Sequence, residues 1–128
     1  MRIIKFFHSF YKSILVFLLI LIASTIPADE VQEVSWLNIP DFDKIVHFGM
    51  YFLFSFVLIY DFLKSKPALS TIRIYMIAAL FAIVYGGSLE LIQANLLKSR
   101  SGDIIDFLFN TAGVVLAALL WMILKKPK

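Results

Sequence analysis

Four stretches of the chain run without an ionised side chain: Ser13 to Ala28, Ile45 to Tyr60, Ile74 to Leu89 and Phe107 to Leu124. Runs this apolar and this long do not suit helices that keep one face in water; they read as membrane spans. The first three fall about four residues short of the roughly 20 that cross a bilayer. Their polar flanks must therefore lie at or slightly inside the interfaces. Phe10 and Tyr11, Trp36, Tyr75 and Trp121 sit near span ends, where amphipathic rings are enriched. The pattern predicts an all-α membrane protein, a four-transmembrane-helix bundle with both termini cytoplasmic. It forms one domain over residues 1–128, with helices at about 8–28, 43–63, 72–92 and 104–124.

Composition agrees with the pattern. Of 128 residues, 61% are hydrophobic and only 16% charged, whereas a soluble domain is about half apolar and a quarter charged. The surplus needs the bilayer as its solvent. With no Cys and no low-complexity tract, disulfide scaffolds, thiol catalysis, thiolate metal sites and disorder drop out. The formal charge of +3 is spread over three places, so a nucleic-acid surface is excluded.

Those three places set the orientation. Arg2, Lys5 and Lys12, then Lys64, Lys66 and Arg73, then Lys125, Lys126 and Lys128 share one side only if the chain crosses four times. The positive-inside rule makes that side cytoplasmic. Lys98 and Arg100 dissent, outnumbered by the three clusters. Arg2 and Lys5 ahead of Ile14 to Ala23 also have the form of a secretory leader. Ile26-Pro27-Ala28, however, places Ile where a cleavage site wants a small residue. The segment is read as a retained span.

Three polar constellations exceed what a plain anchor needs. In the first, Asp41-Phe42-Asp43-Lys44-Ile45-Val46-His47, Asp43 and His47 are four apart on one helical face, where a carboxylate can orient an imidazole. The plainer reading has Asp41 as a cap and Asp43 complementing the helix dipole. In the second, Gly86-Gly87-Ser88-Leu89-Glu90-Leu91-Ile92-Gln93, Glu90 and Gln93 are three apart, with Gly86 a turn below as a packing position. Glu90 near the hydrocarbon boundary needs a partner or a proton, unless it simply faces water. In the third, Asp103, Asp106 and Asn110 stack along one stripe that Gly113 and Ala117 continue as small packing residues, with Gly86 and Gly113 expected at contacts between the third and fourth spans. There Asp103 could be an N-cap and Asn110 interhelical glue.

With the topology above, all three constellations reach the outer membrane face. Intramembrane ionisable groups are functional-site hypotheses by default, and convergence strengthens the case. A cluster of Asp43, His47, Glu90, Asp106 and Arg100 could also serve only to neutralise itself and hold helices together.

The Asp-Lys-x-x-His, Glu-x-x-Gln and Arg-Ser-x-Asp-x-x-Asp-x-x-x-Asn-Thr-x-Gly patterns together resemble the VanZ-like membrane proteins over roughly Asp41 to Ala117. That family is named for a protein associated with resistance to the glycopeptide antibiotic teicoplanin. The resemblance carries over Asp43, Lys44, His47, Glu90, Gln93, Arg100, Asp103, Asp106, Asn110 and Gly113 as its polar signature. Ala117 replaces a frequent second Gly, and the Gln93 to Arg100 loop lacks a common Pro-Gly. The resemblance implies a multi-pass protein of the bacterial cytoplasmic membrane and cell envelope, a link to glycopeptide response, and no established reaction.

The leading expectation is a binding module for an envelope ligand, a lipid-linked wall precursor or an anionic lipid headgroup, with Arg100 and Lys44 meeting the anion. An intramembrane enzyme with His47 as general base oriented by Asp43, and Glu90 or Asp106 as acid or metal ligand, comes second. The chain has no Gly-x-Ser-x-Gly elbow, no Cys and no His-Glu-x-x-His pair. A structural or regulatory role beside another membrane protein is third. No cofactor is expected and no metal is assigned: one His near several carboxylates could bind a divalent ion, although Arg100 and Lys44 already bring positive charge to the cluster.

The orientation is checked by topology reporters. Fusions after Glu33 and after Ser99 are expected to read outside and one after Lys66 inside; an outside signal after Lys66 would overturn the map.

Overall fold

The structure, a computed structural model, describes residues 1–26, 41–96 and 103–125. Arg100, Trp36, Pro40 and the acidic residues Asp29, Glu30 and Glu33 lie outside the described residues. The described chain forms four helices: α1 (Arg2–Thr25), α2 (Phe42–Ser65), α3 (Thr71–Leu96) and α4 (Ile104–Leu124). All four are long and apolar enough to cross a membrane. The first starts earlier than the span read from hydropathy, since nothing between Arg2 and Phe7 breaks a helix, and it ends just before Pro27.

Successive helices run antiparallel, which brings the start of α1 and the end of α4 to one end of the bundle. Contacts along the helices fix this direction. Ser13 of α1 meets Asp61 of α2, Tyr85 of α3 donates to the Phe17 carbonyl at 2.7 Å, and Gln93 donates to the Ser24 carbonyl at 3.0 Å. The most extensive contact joins α2 and α4, and α2 also packs on α1 and α3. The central pair approaches closely because Gly113 has no side chain. A Cβ there would run into the Phe48 carbonyl oxygen and lie 2.9 Å from the Phe52 nitrogen. Gly113 therefore packs on α2, whereas sequence reasoning paired its face with α3. Ala117 is fully buried on the same stripe.

The exterior is largely apolar and several polar side chains lie inside, among a hydrophobic core that includes Ile20, Tyr51, Phe54 and Ile59. Leu15, Leu18, Leu19, Ile22, Leu80, Phe81 and Val84 are exposed, while Ser13, Ser55, Asp61, Gln93 and Asn110 are buried. Lipid solvates the first group, and the second group holds helices together where the hydrophobic effect offers no preference. Buried aromatic side chains follow suit. The Trp121 Nε1–H donates to the Phe56 carbonyl at 3.0 Å, and the Tyr75 hydroxyl to the Trp121 carbonyl at 3.2 Å.

At the end nearer the termini, Asp61 is buried and its Oδ2 accepts from the Ser13 backbone N–H at 3.1 Å and from the Ser13 hydroxyl at 2.7 Å. This ties α1 to α2. The adjacent Lys12 ammonium sits 4.5 Å from the centre of the Tyr60 ring, a cation–π contact at the same seam.

Glycine replacements separate packing from propensity. Gly113→Ala is expected to lower the detergent melting temperature through overpacking of about 1–3 kcal/mol. Gly49 has nothing within 4 Å of an added Cβ, and Gly49→Ala should be neutral or gain up to about 1 kcal/mol of helix propensity. Equal thermal shifts for the two variants would contradict the close α2–α4 approach.

Candidate functional site

The end of the bundle opposite the termini gathers His47 from α2, Glu90 and Gln93 from α3, and Asp103, Asp106 and Asn110 from α4. Asp103 has an extended backbone, and its side chain accepts from the Ile105 N–H at 2.9 Å. It is thus the N-cap of α4. Its own backbone N–H donates to Glu90 Oε2 at 3.2 Å, which fixes the start of α4 against α3. Asp106 and Asn110 follow on the inward stripe.

Asn110 is the junction of the cluster and is only 2% exposed. Its amide nitrogen donates to Glu90 Oε1 at 3.3 Å, and its Oδ1 lies 3.0 Å from His47 Nδ1. An ionised carboxylate only accepts hydrogen bonds, so the amide must turn its NH2 to Glu90 and its oxygen to His47. That oxygen in turn requires a proton on Nδ1. In the neutral ring the lone pair then resides on Nε2, which faces Asp106 Oδ2 at 3.8 Å. Glu90 Oε1 is 3.6 Å from His47 Nδ1. Asp106 Oδ1 is buried and has no hydrogen-bond partner among the described residues.

Packing beneath the cluster explains Gly86. A Cβ on Gly86 would stand 3.0 Å from the Tyr51 ring and 3.4 Å from the Asn110 amide nitrogen. Its absence leaves room for the fully buried Tyr51, one turn after His47, and for Asn110. Gly87 similarly faces the Phe107 ring, 3.2 Å from where a Cβ would be. Beside the cluster, Gly87, Leu91, Ala94, Ile104 and Phe107 line an open apolar groove of about 320 Å³ with Glu90 and Asp103 on its wall.

Not every residue singled out by sequence joins this centre. Asp43 shares a helix with His47 but its side chain is 61% exposed, and it lies 3.7 Å from the Lys44 ammonium. The imidazole is oriented by Asn110 instead. Asp41 does not cap through its side chain. It occupies the left-handed region at φ 61° and pairs with Lys44 at 3.1 Å. Lys44 is thus engaged by two aspartates. Gln93 is buried, yet it reaches α1 rather than Glu90's partners, because a three-residue offset turns it about 60° round the helix. Arg100 lies outside the described residues. The Ser13–Asp61 link at the other end was missed. An acid one residue beyond an uncharged run was its signal, and its partner was not legible.

Among the described residues, His47, Glu90 and Asp106 each present one potential ligand atom, all within 4.8 Å of one another. The set combines an imidazole nitrogen with two carboxylates, a chemistry that accepts protons or binds a divalent cation.

No curated protein and no solved structure matches the chain. The family comparison does give a match, to VanZ/LLP1 over residues 3–125. It reaches well beyond the Asp41 to Ala117 region that carries the motifs and takes in α1, the helix whose Ser24 carbonyl anchors Gln93. The protein belongs to the VanZ/LLP1 family, and its described residues form four helices of membrane-spanning length.

Proposed function

We propose that the three-helix polar cluster is a ligand site for an amphiphilic molecule of the bacterial cell envelope, either a lipid-linked wall precursor or a lipid headgroup. The chain would then be a binding module of the cytoplasmic membrane with this site on its outer face. The carrying observation is the convergence of His47, Glu90, Asp106 and Asn110 from α2, α3 and α4, beside an apolar groove. A polar head could meet the cluster while its chain lies along Leu91, Ala94, Ile104 and Phe107.

Electrostatics refines the mode of recognition. Lys44 is already held by Asp41 and Asp43. The buried centre is acidic, so direct capture of an anion by Lys44 and Arg100 alone would work against the two carboxylates. A catalytic reading is favoured by one observation: His47 holds Nδ1 against Asn110 and leaves Nε2 as the basic atom, the arrangement of an oriented general base. A change in glycopeptide susceptibility, with teicoplanin as the case suggested by the family, would follow if the ligand belongs to wall synthesis. A neighbouring membrane protein as partner belongs to the same proposal.

The test separates folding from function with near-isosteric variants His47→Gln, Glu90→Gln and Asp106→Asn. Each is scored for membrane abundance and for an envelope phenotype such as teicoplanin susceptibility. Normal abundance with lost phenotype is expected for at least His47 and Glu90. Parallel loss of both in all three would make the cluster structural. Accumulation of one lipid-linked precursor in a deletion strain would move the reading from binding to catalysis.

A further inference from the structure

The geometry points to a divalent-cation site formed by His47 Nε2, Glu90 and Asp106, with open coordination positions available to phosphate or other anionic oxygens of an envelope ligand. This deepens the ligand-site reading and rests on it for the ligand, but not for the cation.

Three observations carry the inference. First, the Asn110 amide faces Glu90 with its nitrogen and so holds a proton on His47 Nδ1. In the neutral ring the Nε2 lone pair is then directed toward a carboxylate oxygen 3.8 Å away, Asp106 Oδ2. Two electron-rich atoms facing each other are unfavourable unless something positive lies between them. Metal-bound histidines commonly have this arrangement, with one nitrogen donating to a carbonyl and the other ligating.

Second, Asp106 Oδ1 is buried without a hydrogen-bond partner among the described residues. An orphaned carboxylate oxygen is costly in a low-dielectric setting, and an ion or its bound water would satisfy it.

Third, the charges balance. Glu90 and Asp106 bring two negative charges, and one proton on His47 would cancel only one of them. A divalent cation beside a neutral His47 cancels both. Lys44 is engaged by Asp41 and Asp43. His47, Glu90 and Asp106 each offer a donor atom within 4.8 Å of the others, and side-chain rotation, chiefly of Glu90, whose Oε1 now lies 3.6 Å from Nδ1, would bring them to about 2.0–2.2 Å from one ion. One nitrogen and two carboxylates suit Mn²⁺ or Zn²⁺ better than Ca²⁺, which prefers an all-oxygen cage.

The cation also removes the electrostatic objection to an anionic ligand. Carboxylates repel phosphate, whereas an ion held by three protein ligands presents positive charge and vacant positions to it. A lipid-linked pyrophosphate and a phospholipid headgroup share that chemistry.

The experiment uses the full chain, purified in detergent, stripped with chelator and titrated with Mn²⁺ alone. Bound ion is counted by electron paramagnetic resonance, and pulsed spectra are read for a coupled imidazole nitrogen. One Mn²⁺ per chain is expected, with a nitrogen coupling, displacement by Zn²⁺, and a higher melting temperature with metal than with chelator. Asp106→Asn and His47→Gln should each weaken binding at least tenfold, and their melting temperatures should no longer rise when Mn²⁺ is added. Absence of the nitrogen coupling in wild-type protein overturns the proposal whatever the variants do. So does binding that survives both substitutions. Neither result touches the ligand-site reading, which depends on envelope phenotype. With the ion bound, vesicles containing a lipid-linked pyrophosphate and vesicles containing phosphatidylglycerol distinguish the two ligand sources.

Discussion

The site depends on one side chain, the amide of Asn110. A carboxylate on one side and an imidazole on the other leave it a single orientation, which sets the tautomer of His47 and shares the charge of Glu90. Asn110 can reach both because Gly86 and Gly113 bear no side chains where α3 and α2 come against α4. Backbone approach and side-chain chemistry are therefore coupled. A bulkier residue at either glycine would move the amide and not merely loosen a seam.

The two ends of the bundle use buried polarity differently. Near the termini, Asp61 accepts two hydrogen bonds from one residue of α1, a local link that consumes the acceptor capacity of its Oδ2. At the other end the polar atoms come from three helices and are incompletely consumed among the described residues, with Asp106 Oδ1 lacking a partner there and His47 Nε2 facing an oxygen. A polar group that serves only to hold helices together gains from being fully satisfied. Residual valence is what separates the second centre from the first.

Much of this was legible in the sequence. Uncharged runs gave the four helices, and offsets of three and four correctly placed Asp103, Asp106 and Asn110 on one inward stripe, with Asp103 at the α4 cap. Offsets say which residues share a face, but not which neighbour that face meets. For that reason Gly113 was paired with α3 when it packs on α2, and Gln93 was grouped with Glu90 when it binds α1. Asp43 illustrates a second limit. Being four residues before His47 puts the two on one helical face but says nothing of their depth: His47 is buried, while the Asp43 side chain is largely exposed beside Lys44. Asn110 read as glue because its two partners lie 63 and 20 residues away in the chain.

The account stands or falls on whether His47 and Glu90, from different helices, belong to one network through Asn110. A double-mutant cycle measures this directly, with thermal or chemical unfolding in detergent of wild-type protein, His47→Gln, Glu90→Gln and the double variant. Residues in one hydrogen-bonded network show coupling of about 0.5–3 kcal/mol, and a value in that range is predicted. Single-variant effects that simply add would contradict the account.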